Sequence, residues 1–219
     1  MPDTKYELLY FPLRGRAEPA RLVLAYVAAS WTDTPVGNWM SVKPSTPLGQ
    51  LPVLFERKGG VERAIPQSAS ILRHLGRTFQ LYGVTSDDAL NIDIAIDTAH
   101  DLANAISPLA FGPNKGKDPA ALNRYFDDVV PLHLARFARL LGDNAYFVGG
   151  APTIADFAVF NALDGHLGVE PNLLEKFPTL AAFHARVAGL ATVSAYLDQR
   201  RPGELAPLAS VRATGQPLV

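Results

Sequence analysis

Residues 6–27 read YELLYFPLRGRAEPARLVLAYV. Residues 6–10 alternate polar and apolar with the period of a half-buried strand, the run breaks at Pro12-Leu13-Arg14-Gly15, and an apolar-rich helix follows over residues 17–28. Tyr10 is therefore expected at the end of a strand, just ahead of a helix N-terminus. Such a terminus offers outward backbone N–H groups and a partial positive charge, and a phenol adds one directed donor. The combination suits an anion, a thiolate in particular. Position alone equally allows a half-buried strand tyrosine with its hydroxyl in water. Tyr6 is the local rival, but it lies at the start of the strand, far from the helix.

Outward from this stretch, Pro52-Val53-Leu54-Phe55 reads as a second buried strand, Gly59-Gly60 as a hairpin turn, and residues 61–65 as the returning strand. Ser68 precedes a helical apolar face, Ile71-Leu72-Arg73-His74-Leu75, and reads as its N-cap. A β-α-β-β-α order is implied, with residues 76–83 leading out of the domain. Long amphipathic segments then run over residues 88–111, 119–141, 154–168, 179–188 and 193–199. Thr153-Ile154-Ala155-Asp156 has the spacing of a capping box with Asp in place of Glu, a structural motif. The expected fold class is α/β plus all-α. Residues 1–83 form the first domain and residues 86–200 a helical one. The Pro- and Gly-containing tail at 201–219 is expected to be draped over the surface or disordered.

Twenty basic residues stand against twenty-one acidic ones without a dense cationic block, which argues against nucleic acid as a partner. There is no cysteine, so any sulfur chemistry belongs to a ligand. The apolar run at 22–29 is far too short to span a bilayer, the N-terminus lacks a basic-then-apolar leader pattern, and a cytosolic location is the expectation. His74, His100, His133, His166 and His184 show no metal-binding spacing, no Gly-x-Ser-x-Gly elbow occurs, and Gly15 and Gly49 sit in no phosphate loop.

Five stretches, in order, carry a family likeness: residues 10–18 (YFPLRGRAE), Trp39 with Lys43, residues 49–53 (GQLPV), Gln67-Ser68 with residues 71–75, and residues 147–157 (FVGGAPTIADF). Together they resemble a cytosolic glutathione transferase of the tyrosine type, closest in wording to the sigma and pi classes. The resemblance implies a thioredoxin-like N-terminal domain that holds glutathione and an all-helical C-terminal domain that supplies an apolar second-substrate pocket. It also implies a homodimer and a role in detoxification. No metal is implied; glutathione is a co-substrate, and the other partners are small hydrophobic electrophiles.

The same residues have physical roles to match. Free glutathione's thiol, with a cysteine-like pKa of about 8.5, is only a few per cent thiolate at neutral pH. A hydrogen bond from Tyr10 to the charged form would lower that pKa. In the family the proline matching Pro52 is cis, which turns the Leu51 backbone toward the cysteinyl part of the tripeptide. Gln67 and Ser68, at a helix N-terminus, suit the γ-glutamyl carboxylate, although Ser68 also fits plain capping. Trp39 and Lys43 suit the glycyl carboxylate, or else a core indole and a solvated ammonium. Gln50 falls in the same motif as Leu51 and Pro52.

Arg16 resembles a family arginine that supports the glutathione site, and could instead pair with Glu18. Asp101 aligns with the family aspartate that reaches across the dimer, with Asp97 one turn earlier as the alternative. Leu13 and Phe111 are the candidates for the hydrophobic site. Two other readings remain: a glutathione-dependent isomerase of the prostaglandin D synthase kind, and a non-catalytic ligand-binding or structural homologue.

Overall fold

The computed structural model describes residues 4–200 and 203–218. The chain divides into two compact units, residues 1–82 with 188–202, and residues 83–187 with 203–219.

In the first unit four strands form one sheet: β1 (Lys5–Tyr10), β2 (Trp31–Pro35), β3 (Val53–Lys58) and β4 (Val61–Pro66), in the order β2-β1-β3-β4. β1 and β2 run parallel across the helix α1 (Glu18–Tyr26), while β3 is antiparallel to both β1 and β4. Along β1 the alternation is realised: Tyr6, Leu8 and Tyr10 are buried on one face. The β3–β4 hairpin turns at Gly59 and Gly60, both at positive φ (56° and 80°), the backbone that a two-residue turn matching the strand twist demands. Short α2 (Trp39–Val42) follows β2, and α3 (Ser68–Thr78) packs against α1 and the hairpin. The arrangement is thioredoxin-like.

Strand β2 corrects the expected β-α-β-β-α order. WTDTP has no apolar run to mark it, because as an edge strand it is nowhere fully buried; pairing with β1 makes it a strand. The helix expected over residues 17–28 is nine residues long, preceded by a tight 3₁₀ turn at Gly15–Ala17. The first unit also contains α9 (Ala191–Leu197), which packs on α1.

In the second unit α4 (Ser86–Ala110) packs against α6 (Val130–Leu141) and α7 (Ile154–Leu167), with α5 (Pro119–Arg124), α8 (Pro178–Ala188) and α10 (Leu208–Thr214) around them. The helix expected over 119–141 is interrupted. Pro131 brings no N–H, and the turn before it widens to a single π turn at Tyr125–Val129. α7 is buried almost throughout and begins at the anticipated capping box. Fully buried Asp156 accepts from the backbone N–H groups of Thr153 (2.7 Å) and Phe147 (2.9 Å) and from the Thr153 hydroxyl (2.9 Å).

The tail reading also needs correcting. Residues 201, 202 and 219 lie outside the described residues, but α10 is an ordered helix that buries Leu208 and Val211. Arg212 secures it, donating to Glu170 (2.8 Å), Asp127 (2.8 Å) and Asn123 (3.3 Å), with its guanidinium 4.9 Å from the Phe126 ring centre. A leucine and a valine three apart and one multidentate arginine are too sparse a pattern to be seen as an amphipathic helix in sequence.

Candidate active site

The sheet register gathers the site at one end of the first unit. Tyr10 ends β1 opposite Pro35, Leu9 pairs with Val53 at the start of β3, and Val53 pairs with Pro66 at the end of β4. Tyr10, the Leu51–Pro52 peptide and Gln67 are thus brought to the same edge from three distant stretches of chain. The Leu51–Pro52 bond is cis.

Tyr10 is 7% exposed, and its hydroxyl oxygen accepts the backbone N–H of Arg16 at 3.2 Å. That bond fixes the phenol at the 3₁₀ turn leading into α1. A donor into the phenolic oxygen also polarises the O–H bond, which strengthens the hydroxyl as a donor toward an anion. The close approach needs glycine next door. Gly15 is at φ +46°, and a Cβ there would lie 2.7 Å from the Tyr10 hydroxyl oxygen.

Tyr6 resolves as a structural residue. Its hydroxyl donates to Glu56 Oε1 at 3.3 Å, and burial together with the Glu56 carboxylate pushes its pKa up to about 12.

Around Tyr10 the Phe11 ring meets it edge-on (centroids 5.6 Å) and meets Trp39 edge-on in turn (5.8 Å), which seats the half-buried indole beside the phenol. Lys43 is exposed, and its stem lies along Gly49, where a Cβ would come within 3.5 Å of Lys43 Cε. The ammonium can therefore swing over this edge while the stem stays packed. Gln67 Nε2 donates to Gln50 Oε1 at 3.2 Å, joining the segment before the cis proline to the start of α3.

Gln67, not Ser68, is the N-cap residue of α3, and it holds φ 73°, ψ 113°, a conformation non-glycine residues seldom adopt. Ser68 is the first helical residue, its side chain half-buried at the terminus. Strain of this kind concentrates where a backbone must be held for a ligand. The first turn of α3 carries no acidic residue, so its N–H groups keep their attraction for a carboxylate.

Leu13 closes a tight turn, its N–H donating to the Phe11 carbonyl at 2.7 Å. Arg16 is exposed, and Glu18, its suggested ion-pair partner, is engaged by Arg21 (3.1 Å), Tyr196 (3.0 Å) and Arg200 (3.7 Å). Asp101 and Phe111 belong to the second unit. Asp101 is exposed on α4, as is Asp97 one turn before, and Phe111 caps that helix with 39% of its surface exposed.

Sequence reasoning missed Arg21. It is 1% exposed, and Nη1 donates to the carbonyls of Leu13 and Arg14 (both 3.0 Å) and to Glu18 Oε2 (3.1 Å), while Nε donates to Asp33 Oδ1 (3.1 Å). It thus holds the turn that carries the Arg16 N–H. The available signal was an arginine inside an apolar helix three residues after a glutamate.

The fold and this edge together define a thioredoxin-like domain with a buried tyrosine at the end of its first strand, together with a helical unit. Residues 100–200 match the family model for the glutathione S-transferase C-terminal domain. The chain is 32% identical over 207 residues to a glutathione S-transferase of Dirofilaria immitis, covering 91% of this chain and 95% of that protein. It is 33% identical to a glutathione S-transferase P of Caenorhabditis elegans, covering 89% and 92%. A sigma class transferase of Fasciola hepatica superposes with a TM-score of 0.84 at 28% identity, covering 92% and 99%. Prostaglandin synthase D of Nilaparvata lugens superposes with a TM-score of 0.79 at 25% identity, covering 90% and 100%. The chain belongs to the glutathione S-transferase family, a family of enzymes.

Proposed function

We propose that the protein binds reduced glutathione along the Tyr10 edge of the sheet, holds its sulfur as a thiolate, and conjugates it to small hydrophobic electrophiles. The observation that carries this reading is the Tyr10 hydroxyl, fixed by the Arg16 N–H at the head of α1. Glutathione lies with its cysteinyl backbone along Leu51, its γ-glutamyl carboxylate at Gln67, Ser68 and the N-terminus of α3, and its glycyl carboxylate toward Trp39 and Lys43. Gln50 steadies Gln67, and Arg16 supports the glutathione site through its backbone N–H on the Tyr10 hydroxyl.

The thiol proton leaves to solvent, the Tyr10 O–H donates to the resulting thiolate, and the sulfur lone pair forms a C–S bond to the electrophile. In a substitution the leaving group departs with its bonding pair; in an addition the adjacent carbon takes a proton. Orientation of the tripeptide supplies proximity, and the phenol supplies charge stabilisation. Leu13 is the first unit's candidate for contact with the hydrophobic electrophile, and Phe111, which has no hydroxyl, is an apolar candidate in the second unit.

The protein acts as a cytosolic homodimer in detoxification. Leu90 (59% exposed) and Ile94 (41%) share the outer side of α4 with Asp97 and Asp101, which supports a partner there and an aspartate reaching across it. Sedimentation at the mass of a single chain would overturn the dimer. A second reading, a glutathione-dependent isomerase that regenerates the same thiolate, is favoured by the likeness to the Nilaparvata synthase.

The test is a pH titration of the thiolate absorbance of bound glutathione, wild type against Tyr10→Phe, with turnover of 1-chloro-2,4-dinitrobenzene followed in parallel. Wild type should ionise the thiol about one to two units below its free value. Tyr10→Phe should restore that value and slow turnover at neutral pH by about eight- to twenty-five-fold, with binding retained. Binding without a shift in wild type would point to the non-catalytic homologue.

A further inference from the structure

Tyr196 stands on α9, 178 residues along the chain from the residue it touches, and its hydroxyl donates to Glu18 Oε1 at 3.0 Å. The other carboxylate oxygen of Glu18 accepts from Arg21 Nη1, and the same nitrogen holds the carbonyls of Leu13 and Arg14. Those two residues lead into Gly15 and Arg16, whose backbone lies against the Tyr10 hydroxyl and donates to it. The Arg21 guanidinium also lies 5.8 Å from the centre of the Tyr10 ring. A continuous chain of polar contacts thus runs from α9 to the phenol.

From this geometry we infer that Tyr196 is a positioning residue for Tyr10. It rests on the reading that Tyr10 stabilises the thiolate. Glu18 is 1% exposed, and what its two oxygens accept decides where the carboxylate sits. With Tyr196 donating, Oε2 is left to Arg21, whose Nη1 stays aimed at the turn. Without that donor the carboxylate is drawn toward Arg200, 3.7 Å from Oε1, and Arg21 follows it away from the Leu13 and Arg14 carbonyls. The Arg16 N–H then no longer meets the phenol squarely, and the O–H becomes a weaker donor to sulfur. Burial first and the Glu18 carboxylate second push the pKa of Tyr196 well above that of an ordinary tyrosine, against the opposing pull of Arg21, so its phenol stays neutral and donating.

The experiment compares wild type, Tyr10→Phe, Tyr196→Phe, Glu18→Gln and Thr192→Ala. Thr192 is the control: it ties the same helix to the Tyr26 carbonyl at 3.1 Å without touching Glu18. Tyr196→Phe should raise the apparent pKa of bound glutathione by about half a unit, which makes the thiolate fraction at neutral pH about 1.5- to 2.5-fold smaller. The KM for glutathione should stay near wild type while kcat falls in proportion, and kcat should recover at high pH. Glu18→Gln, which breaks the next link while keeping the side chain's shape, should move the pKa the same way. Thr192→Ala should leave it in place.

An unshifted pKa in Tyr196→Phe and in Glu18→Gln, or an equal shift in Thr192→Ala, overturns the role of Tyr196. An unshifted wild-type thiol, or a Tyr10→Phe variant identical to wild type, overturns instead the reading beneath it.

Discussion

The network behind Tyr10 and the one around His166 bury polar groups by opposite means. Behind Tyr10 the first unit buries full charges, with Arg21 between Glu18 and Asp33 and the Tyr196 hydroxyl on Glu18. The second unit buries a neutral pair. Its Tyr125 hydroxyl meets His166 Nε2 at 2.8 Å, while His166 Nδ1 meets the Ala162 carbonyl at 2.6 Å. Since a carbonyl only accepts, Nδ1 carries the proton and Nε2 accepts from Tyr125. Burial pulls the His166 pKa down to about 4, so the ring stays neutral at physiological pH.

The difference follows from what each network holds. Inside a helical bundle most backbone groups are already satisfied by their own helices, and one neutral hydrogen bond completes the packing. At the site an irregular turn must keep two carbonyls in place, and only a multidentate cation reaches them both together with its counter-ions.

The sharpest way to break the comparison is Arg21→Met, which keeps bulk and removes the charge. Glu18 and Asp33 then lose their shared cation, and stability at pH 7 should fall by about 4 kcal/mol, as for other half-removed buried pairs. Urea unfolding measures it; a loss under about 1 kcal/mol would mean that water reaches the network and the charges are not truly buried.

A smaller effect is expected in the second unit and depends on pH. The folded state holds His166 neutral down to about pH 4, whereas the unfolded chain takes up its proton near 6.5. The unfolded state therefore binds more protons between those values, and native stability drains away as pH falls from about 6.5 to about 4, by about 3 kcal/mol in all. Asp156 runs the other way, because burial raises its carboxyl to about 6 and protonation there favours the folded state as pH falls. The comparison of wild type with His166→Gln isolates the histidine: the variant should be less stable at pH 7 and lose less between pH 6.5 and 4.5. Equal losses in the two proteins would show that His166 does not titrate in this range.

Legibility in the sequence divides along another line, between local and long-range chemistry. Elements set by local chemistry were readable: the β1 alternation, the Gly59-Gly60 hairpin, and the Thr153–Asp156 box. Strand β2 was not, because an edge strand of threonines gains its identity from pairing with β1. Ser68 reads as an N-cap because serine commonly is one; the cap falls instead to Gln67 through a backbone conformation that no propensity anticipates. Helix α10 depends on Arg212 finding Asp127 and Glu170, more than forty residues away.

By itself, the sequence determined that a tyrosine ends the first strand before a helix, that the protein has no thiol of its own, and that a sheet-forming region is followed by helices. Those features are local, and spacing and residue type suffice to express them. Only the tertiary structure decided that Tyr10, Pro52 and Gln67 share one edge, that Tyr6 is spent on Glu56, and that Arg21 and Tyr196 stand behind the site. Those facts depend on register between strands and on contacts between residues up to 178 positions apart, and nothing in a local pattern encodes the partner.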